Sequence, residues 1–267
     1  MALAFLFNDF ILFSVLGWMY ECVYCTVRTG HWQNRGFLFG PICPIYGVGA
    51  LLILCASLYV SALPAGQVPL WQLGLLFAAG SAVLEYCVSW GLERLFHARW
   101  WDYSDMPLNL HGRICLPASV LFGLMGILVF RYVLPLINAV QPGLHPVLSE
   151  GIALGMMGLF GADIALSVAS MSALLETLEG VENSINAKME DKVQSARQIP
   201  MKVSHASEMA RNAVSEKTVD TVLHAKNAAV YALQRRHLRN IQKFAQKGHA
   251  RSADYLRRFL RGKERGK

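Results

Sequence analysis

Five apolar stretches dominate the first two-thirds of the chain: Phe10–Val27, Pro44–Leu63, Leu70–Leu92, Ile114–Ile137 and Val147–Met171. About 20 mostly apolar residues cross a bilayer core as a helix. The expected fold is therefore all-α, a polytopic transmembrane helical bundle of about five spans. With 54% of its residues hydrophobic and only 16% charged, the chain does not read as an ordinary soluble protein. The amino end does not read as a secretory leader, because it lacks a positive start and Asn8 and Asp9 precede the main apolar run.

Charge is segregated along the chain. Residues 1–180 carry a net −4 and residues 181–267 a net +11. The expected division is a transmembrane domain over 1–180 and a basic, mainly helical tail over 181–267. Loops alternate as well: 62–69 and 139–146 carry no Lys or Arg, whereas the other two hold Arg28 and Arg35, then Arg94, Arg99 and Arg113. Under the positive-inside rule this predicts an outside amino end and a cytoplasmic tail. Arg131, near the outer end of span four, is expected to snorkel. Trp32, Trp71, Trp100 and Trp101 fall at span boundaries, where an aromatic belt belongs. In span five, Gly161, Ala165, Ala169 and Ala173 recur every four residues as a helix-packing face. No internal repeat supports an inverted-repeat transporter.

Glu21, Glu85 and Asp163 each interrupt an apolar span, where a carboxylate is costly unless paired or hydrated. Counted from the cytoplasmic end of each helix they lie six, seven and about eight residues in, hence about 9–12 Å deep. A common depth predicts one polar cavity open to the cytoplasm. Asn34, Arg35, Asp102, His111 and Arg113 are its expected partners on the same side. The plainer alternative is that Glu21 and Glu85 form buried pairs with Arg35 and Arg113 and merely hold the bundle. No cofactor or metal is expected. Cys22-x-x-Cys25 would lie inside a hydrophobic helix with no second pair at zinc spacing, and the six cysteines read as small hydrophobes rather than a disulfide framework.

The cytoplasmic loops are rich in turn formers. Between Asn34 and Gly47 lie Pro41 and Pro44 with Gly36 and Gly40, so no regular helix can begin there. Irregular backbone at membrane depth must be buried in protein or face water, which predicts a re-entrant approach to span two. The second loop, Trp100-Trp101-Asp102-Tyr103-Ser104 through Gly112-Arg113, either floats at the interface or caps the cavity.

Taken together, Gly17-Trp18 with Glu21, then N-R-G-F-L-x-G-P-x-x-P-I-Y-G, Leu84-Glu85-Tyr86, W-W-D-Y-S and G-R-I-C resemble the bacterial ABC-transporter type IV permease-like family over about residues 8–137. The resemblance implies a multi-pass protein of the bacterial inner membrane and brings no substrate or catalytic residues. Residues 138–267 fall outside it.

In the tail, Val181, Ile185, Met189 and Val193 predict a continuation of the last span as a helix, interrupted at Pro200. A second periodic stretch runs over 204–246, and Tyr255–Arg261 alternates apolar pairs with arginines. That pattern fits an anionic inner leaflet or a partner helix. Nucleic acid is disfavoured because no readout motif accompanies the charge.

Three functions stay open on these grounds. A permease component would need a separate ATPase subunit, since the chain has no G-x-x-x-x-G-K-[ST] loop, and would line a pathway only with a partner or as a homo-oligomer. A membrane-embedded enzyme acting on lipid at the inner leaflet could use the acids and His111 for proton transfer. A non-catalytic scaffold would recruit partners through the tail.

Overall fold

The computed structural model describes residues 2–30, 32–61, 68–140, 145–197, 228–245, 249–254 and 256–258. Among them the architecture is helical: α1 (Ala2–Thr29), α2 (Pro44–Ser61), α3 (Leu70–Phe96), α4 (Leu116–Leu128), a π-helical turn (Val129–Val133), α5 (Leu134–Val140), α6 (Pro146–Arg197) and α7 (Ala228–Asn240). The strands β1 (Ala98–Arg99), β2 (Asn109–Leu110), β3 (Ile114–Cys115) and β4 (Lys243–Phe244) have two residues each. The expectations for Pro200, for 204–227, and for Tyr255 and 259–261 fall outside the described residues.

Among the described residues, four helical stretches are long and apolar enough to cross a membrane: Leu3–Thr29, Leu70–Phe96, Leu116–Ile137 and Pro146–Asn183. The remaining expected span is the shorter apolar helix Pro44–Val60, at the low end of spanning length. Span four starts later than expected, because Ile114 and Cys115 form a strand and Pro117 sits in the first turn of α4, where a missing N–H costs nothing. The chain is thus a multi-pass helical bundle.

Two compact units divide the described chain, one of 1–94 with 100–167, the other of 95–99 with 168–267. In the first unit the irregular segment after α1 is driven inward. Leu38 and Ile42 are buried with Ile11 against Phe10, Met156 and Phe160. Small residues permit close helix approach: a Cβ on Gly123 would meet the Gly74 carbonyl at 2.8 Å, and one on Gly126 the Phe77 side chain at 2.8 Å.

Helix α6 meets this unit along a narrow seam. Ser149, Ala153 and Ser167 are buried and Met156, Phe160 and Asp163 half-buried, a spacing of alternating four and three residues that keeps one face inward. Asn8 fastens that seam from α1, donating to the Ser149 carbonyl at 3.1 Å and its hydroxyl at 3.0 Å. Two positions on, hence on the far side of the helix, Gly151, Gly155, Gly158, Ala162 and Ala165 are all exposed.

In the second unit, β4 pairs antiparallel with β1, Ala98 opposite Phe244 and Arg99 opposite Lys243. Gln242 and Ala245 donate to the carbonyls of Arg99 and His97, both at 2.8 Å. Arg257 caps the end of α7, bonding the carbonyls of Leu238 and Ile241, as a cation at a helix C-terminus should.

Candidate functional site

A missing side chain on α1 positions the first acid. The Tyr46 ring lies where a Cβ on Gly17 would be, and Gly47 of α2 meets Ser14 and Phe10 of α1 in the same way. With the two helices this close, the Tyr46 hydroxyl reaches one turn along α1 and donates to Glu21 Oε1 at 2.6 Å. The other carboxylate oxygen lies 4.0 Å from the Cys25 thiol. The Arg35 guanidinium lies beside that same thiol, and the Arg35 amide donates to Cys22 Sγ at 3.4 Å. Asn34 accepts the Trp18 indole N–H at 2.9 Å, closing the segment back onto α1.

The second acid is met from a hairpin. Strands β2 and β3 pair Asn109 with Cys115 and Leu110 with Ile114. Their turn places His111 at φ 55° and Gly112 at φ 68°, the left-handed pair that tight hairpins need. Gly112 is also pressed against its neighbours, since a Cβ there would lie 2.6 Å from Asp102 Oδ1. Asp102 accepts from the Ser104 hydroxyl at 2.5 Å and amide at 3.2 Å, and Asn109 donates to the carbonyls of Ser104 and Met106. Asp102 and Asn109 thus brace the loop. Trp101 donates to the Arg113 carbonyl at 2.9 Å, and the braced loop projects Tyr103 toward Glu85 Oε1 at 3.4 Å. Burial, with Glu85 and Glu21 nearby, pushes the Tyr103 phenol far above its ordinary value, so it stays a hydrogen donor. Glu21 also acts electrostatically on both Glu85 and Tyr103.

Asp163 is held differently. Oδ1 accepts the Phe39 amide and Oδ2 the Gly40 amide, both at 2.8 Å, and Ser167 adds a hydroxyl at 3.3 Å. Gly40 has to be glycine for this, because a Cβ would sit 2.7 Å from Oδ2. A carboxylate taking two successive backbone N–H groups does for this loop what a cap does for a helix start.

These contacts tie together the motif segments of the sequence, and residues 9–168 match the family model described as "Putative ABC-transporter type IV". The chain belongs to that family. No curated protein and no solved structure matches it. The ABC-transporter type IV match runs further than the motif resemblance over 8–137, taking in the start of α6 with Asp163, and it ends one residue beyond the first unit.

Within the family-matched region, not every expected partner sits where the sequence reading put it. Arg113 does not pair with Glu85. Its ion pair is with Glu93 at 2.9 Å, and it also donates to the Tyr86 hydroxyl at 3.1 Å and lies over the Tyr86 ring. The reason is helical spacing: Glu93 is two turns beyond Glu85 on α3, nearer the hairpin that carries Arg113. His111 Nδ1 is 3.3 Å from the same Tyr86 hydroxyl. Arg35 meets Cys25 rather than a carboxylate. Glu21 is bonded by Tyr46 and Glu85 by Tyr103, His111 and Arg113 gather on Tyr86, and Asp163 holds the 39–40 backbone. Tyr46, Tyr86, Tyr103 and Glu93 do not stand out as site residues in the sequence, since tyrosine near a span boundary is ordinary. Their only signal is their place inside P-I-Y-G, L-E-Y and W-W-D-Y-S, or beside Arg94 at the end of α3.

Proposed function

We propose that this chain is a permease-type subunit of an ATP-driven transport system in the bacterial inner membrane, working with a separate ATPase chain. Its amino end is outside, its tail is cytoplasmic, and the Glu21–Glu85 neighbourhood is the polar site on the transport path. One observation carries this reading: both acids are fastened to tyrosine hydroxyls rather than to arginines. A guanidinium partner would tie up a carboxylate as a bundle-holding pair. A phenol orients it and leaves its charge in place, and intramembrane carboxylates of that kind mark ion and substrate paths. Family membership supports the transport setting.

The test purifies the tagged chain from its own membranes and asks what comes with it. Co-purification of an ATPase is expected. Glu21→Gln and Glu85→Gln are expected to abolish the transport-dependent phenotype at normal membrane yield. Loss of yield in both variants would reduce the acids to structural pairs, and a co-purified lipid altered by the substitutions would point to an enzyme instead. A reporter fused to the tail should be active only as a cytoplasmic fusion.

A further inference from the structure

The inward face of α3 changes character along its length. Leu73 and Phe77 bury apolar groups, and the next buried positions are Glu85 and Ser89, 6% and 3% exposed. Both carry an orphaned oxygen: neither Glu85 Oε2 nor Ser89 Oγ has a hydrogen-bond partner. Spaced by four residues, the two lie on one helix face with Cβ atoms about 6 Å apart. A buried helical serine ordinarily bonds the carbonyl four residues back. Ser14 does so to Phe10 at 2.6 Å and Ser119 to Cys115 at 3.2 Å. Ser89 does not, although the carbonyl in that position belongs to Glu85.

The charges around these oxygens do not balance. Glu21 and Glu85 bring two carboxylates. Cys25 and Tyr20 from α1 and Tyr46 from α2 lie within electrostatic reach of Glu21, and Tyr103 from the hairpin loop within reach of both acids, all neutral groups in their ordinary forms. Arg35 lies beside Cys25, whose thiol is 4.0 Å from Glu21 Oε2. Arg113 is already taken by Glu93. With both acids ionised, one negative charge is left over. The orphaned atoms are both hard oxygens, which suit alkali and alkaline-earth ions rather than soft metals. Among the described residues no group of three or more His, Cys, Asp or Glu is placed to hold a metal, so a divalent ion would find too little charge.

We propose that Glu85 and Ser89 bind one sodium ion inside the bundle, with Glu21 adding negative charge nearby. Tyr103 is a positioning residue, donating to Glu85 Oε1 and leaving Oε2 for the ion, while Tyr46 holds Glu21 Oε1. The binding stands on the orphaned oxygens and the unbalanced charge; only its role as an ion handled during transport rests on the permease reading.

The test uses the full-length protein in detergent and measures radioactive sodium uptake at constant ionic strength, with choline as the replacement cation. One saturable site per chain is expected. Glu85→Gln should abolish it, and Ser89→Ala, which leaves every charge in place, should weaken it about tenfold, as loss of one supporting group does at ion sites. Absence of saturable uptake in the parent protein overturns the proposal, as does unchanged affinity in Ser89→Ala. A sodium-insensitive protein with a protonated-carboxyl infrared band that vanishes in Glu85→Gln overturns it too, because a proton then takes the charge. If sodium fails to bind while Glu21→Gln and Glu85→Gln still lose the phenotype at normal yield, the sodium site falls and the permease reading stands. Sodium binding with no phenotype in those variants gives the reverse.

Discussion

On α6, Asp163 gives each carboxylate oxygen a backbone N–H at 2.8 Å. On α3, Glu85 gives one oxygen a phenol at 3.4 Å and the other no hydrogen bond at all. Both acids interrupt apolar helices, and in the sequence they look alike. The contrast separates two uses of a membrane carboxylate. Asp163 takes two successive backbone amides of an irregular segment, so it belongs to the fold. Glu85 is buried at a cost that the fold itself does not offset, which leaves that carboxylate available to something else.

Breaking the Asp163 contacts should give the largest effect. Asp163→Ala takes its carboxylate partner from the Gly40 amide and leaves the Phe39 amide the Ser167 hydroxyl at 3.2 Å, a loss of about 1–3 kcal/mol, so folded yield and thermal stability in detergent should drop. Asp163→Asn should recover only part of this, since one of its amide groups would point a donor at a donor. A near-normal Asp163→Ala protein would erase the distinction between the two acids. Gly17→Ala comes next: the Tyr46 ring occupies the space of the new methyl, and overpacking of this kind costs about 1–3 kcal/mol. A lowered melting temperature should come with weakened Tyr46–Glu21 contact, visible as a change in tyrosine fluorescence. Tyr103→Phe should cost about 1 kcal/mol or less, because its bond to Glu85 is long and nearly neutral in net energy. If Tyr103→Phe proved as damaging as Asp163→Ala, Glu85 would have to be counted as structural. The smallest effect belongs to Gly158→Leu, within about 0.5 kcal/mol for the isolated chain, because a Cβ there meets nothing within 4 Å. The same substitution at Ala153, on the packed seam, should be plainly destabilising.

Apolar runs located the helices because hydropathy over 20 residues is a local property. The helix starts at Pro44, Leu70 and Pro146 lie within a residue of the expected span starts. Turn residues likewise marked the segment between α1 and α2 and the hairpin before α4. Partner choice was not legible. Whether Arg113 takes Glu85 or Glu93 depends on helix rotation and on where the hairpin ends, and neither has a period in the sequence. The role of Asp163 was hidden for another reason: its partners are main-chain N–H groups, which every residue but proline has. The pairing of Ala98–Arg99 with Lys243–Phe244 joins positions far apart in the chain through strands too short to show alternation.

That short pairing bears on how the protein should be handled in the laboratory. A basic carboxyl tail invites truncation to ease purification. Here the cut would strip the amides of Gln242 and Ala245 from the carbonyls of Arg99 and His97. It would also lay open Ala98, which is fully buried. An uncovered strand edge is a template for self-association, so a trimmed chain should clump where the whole one stays dispersed.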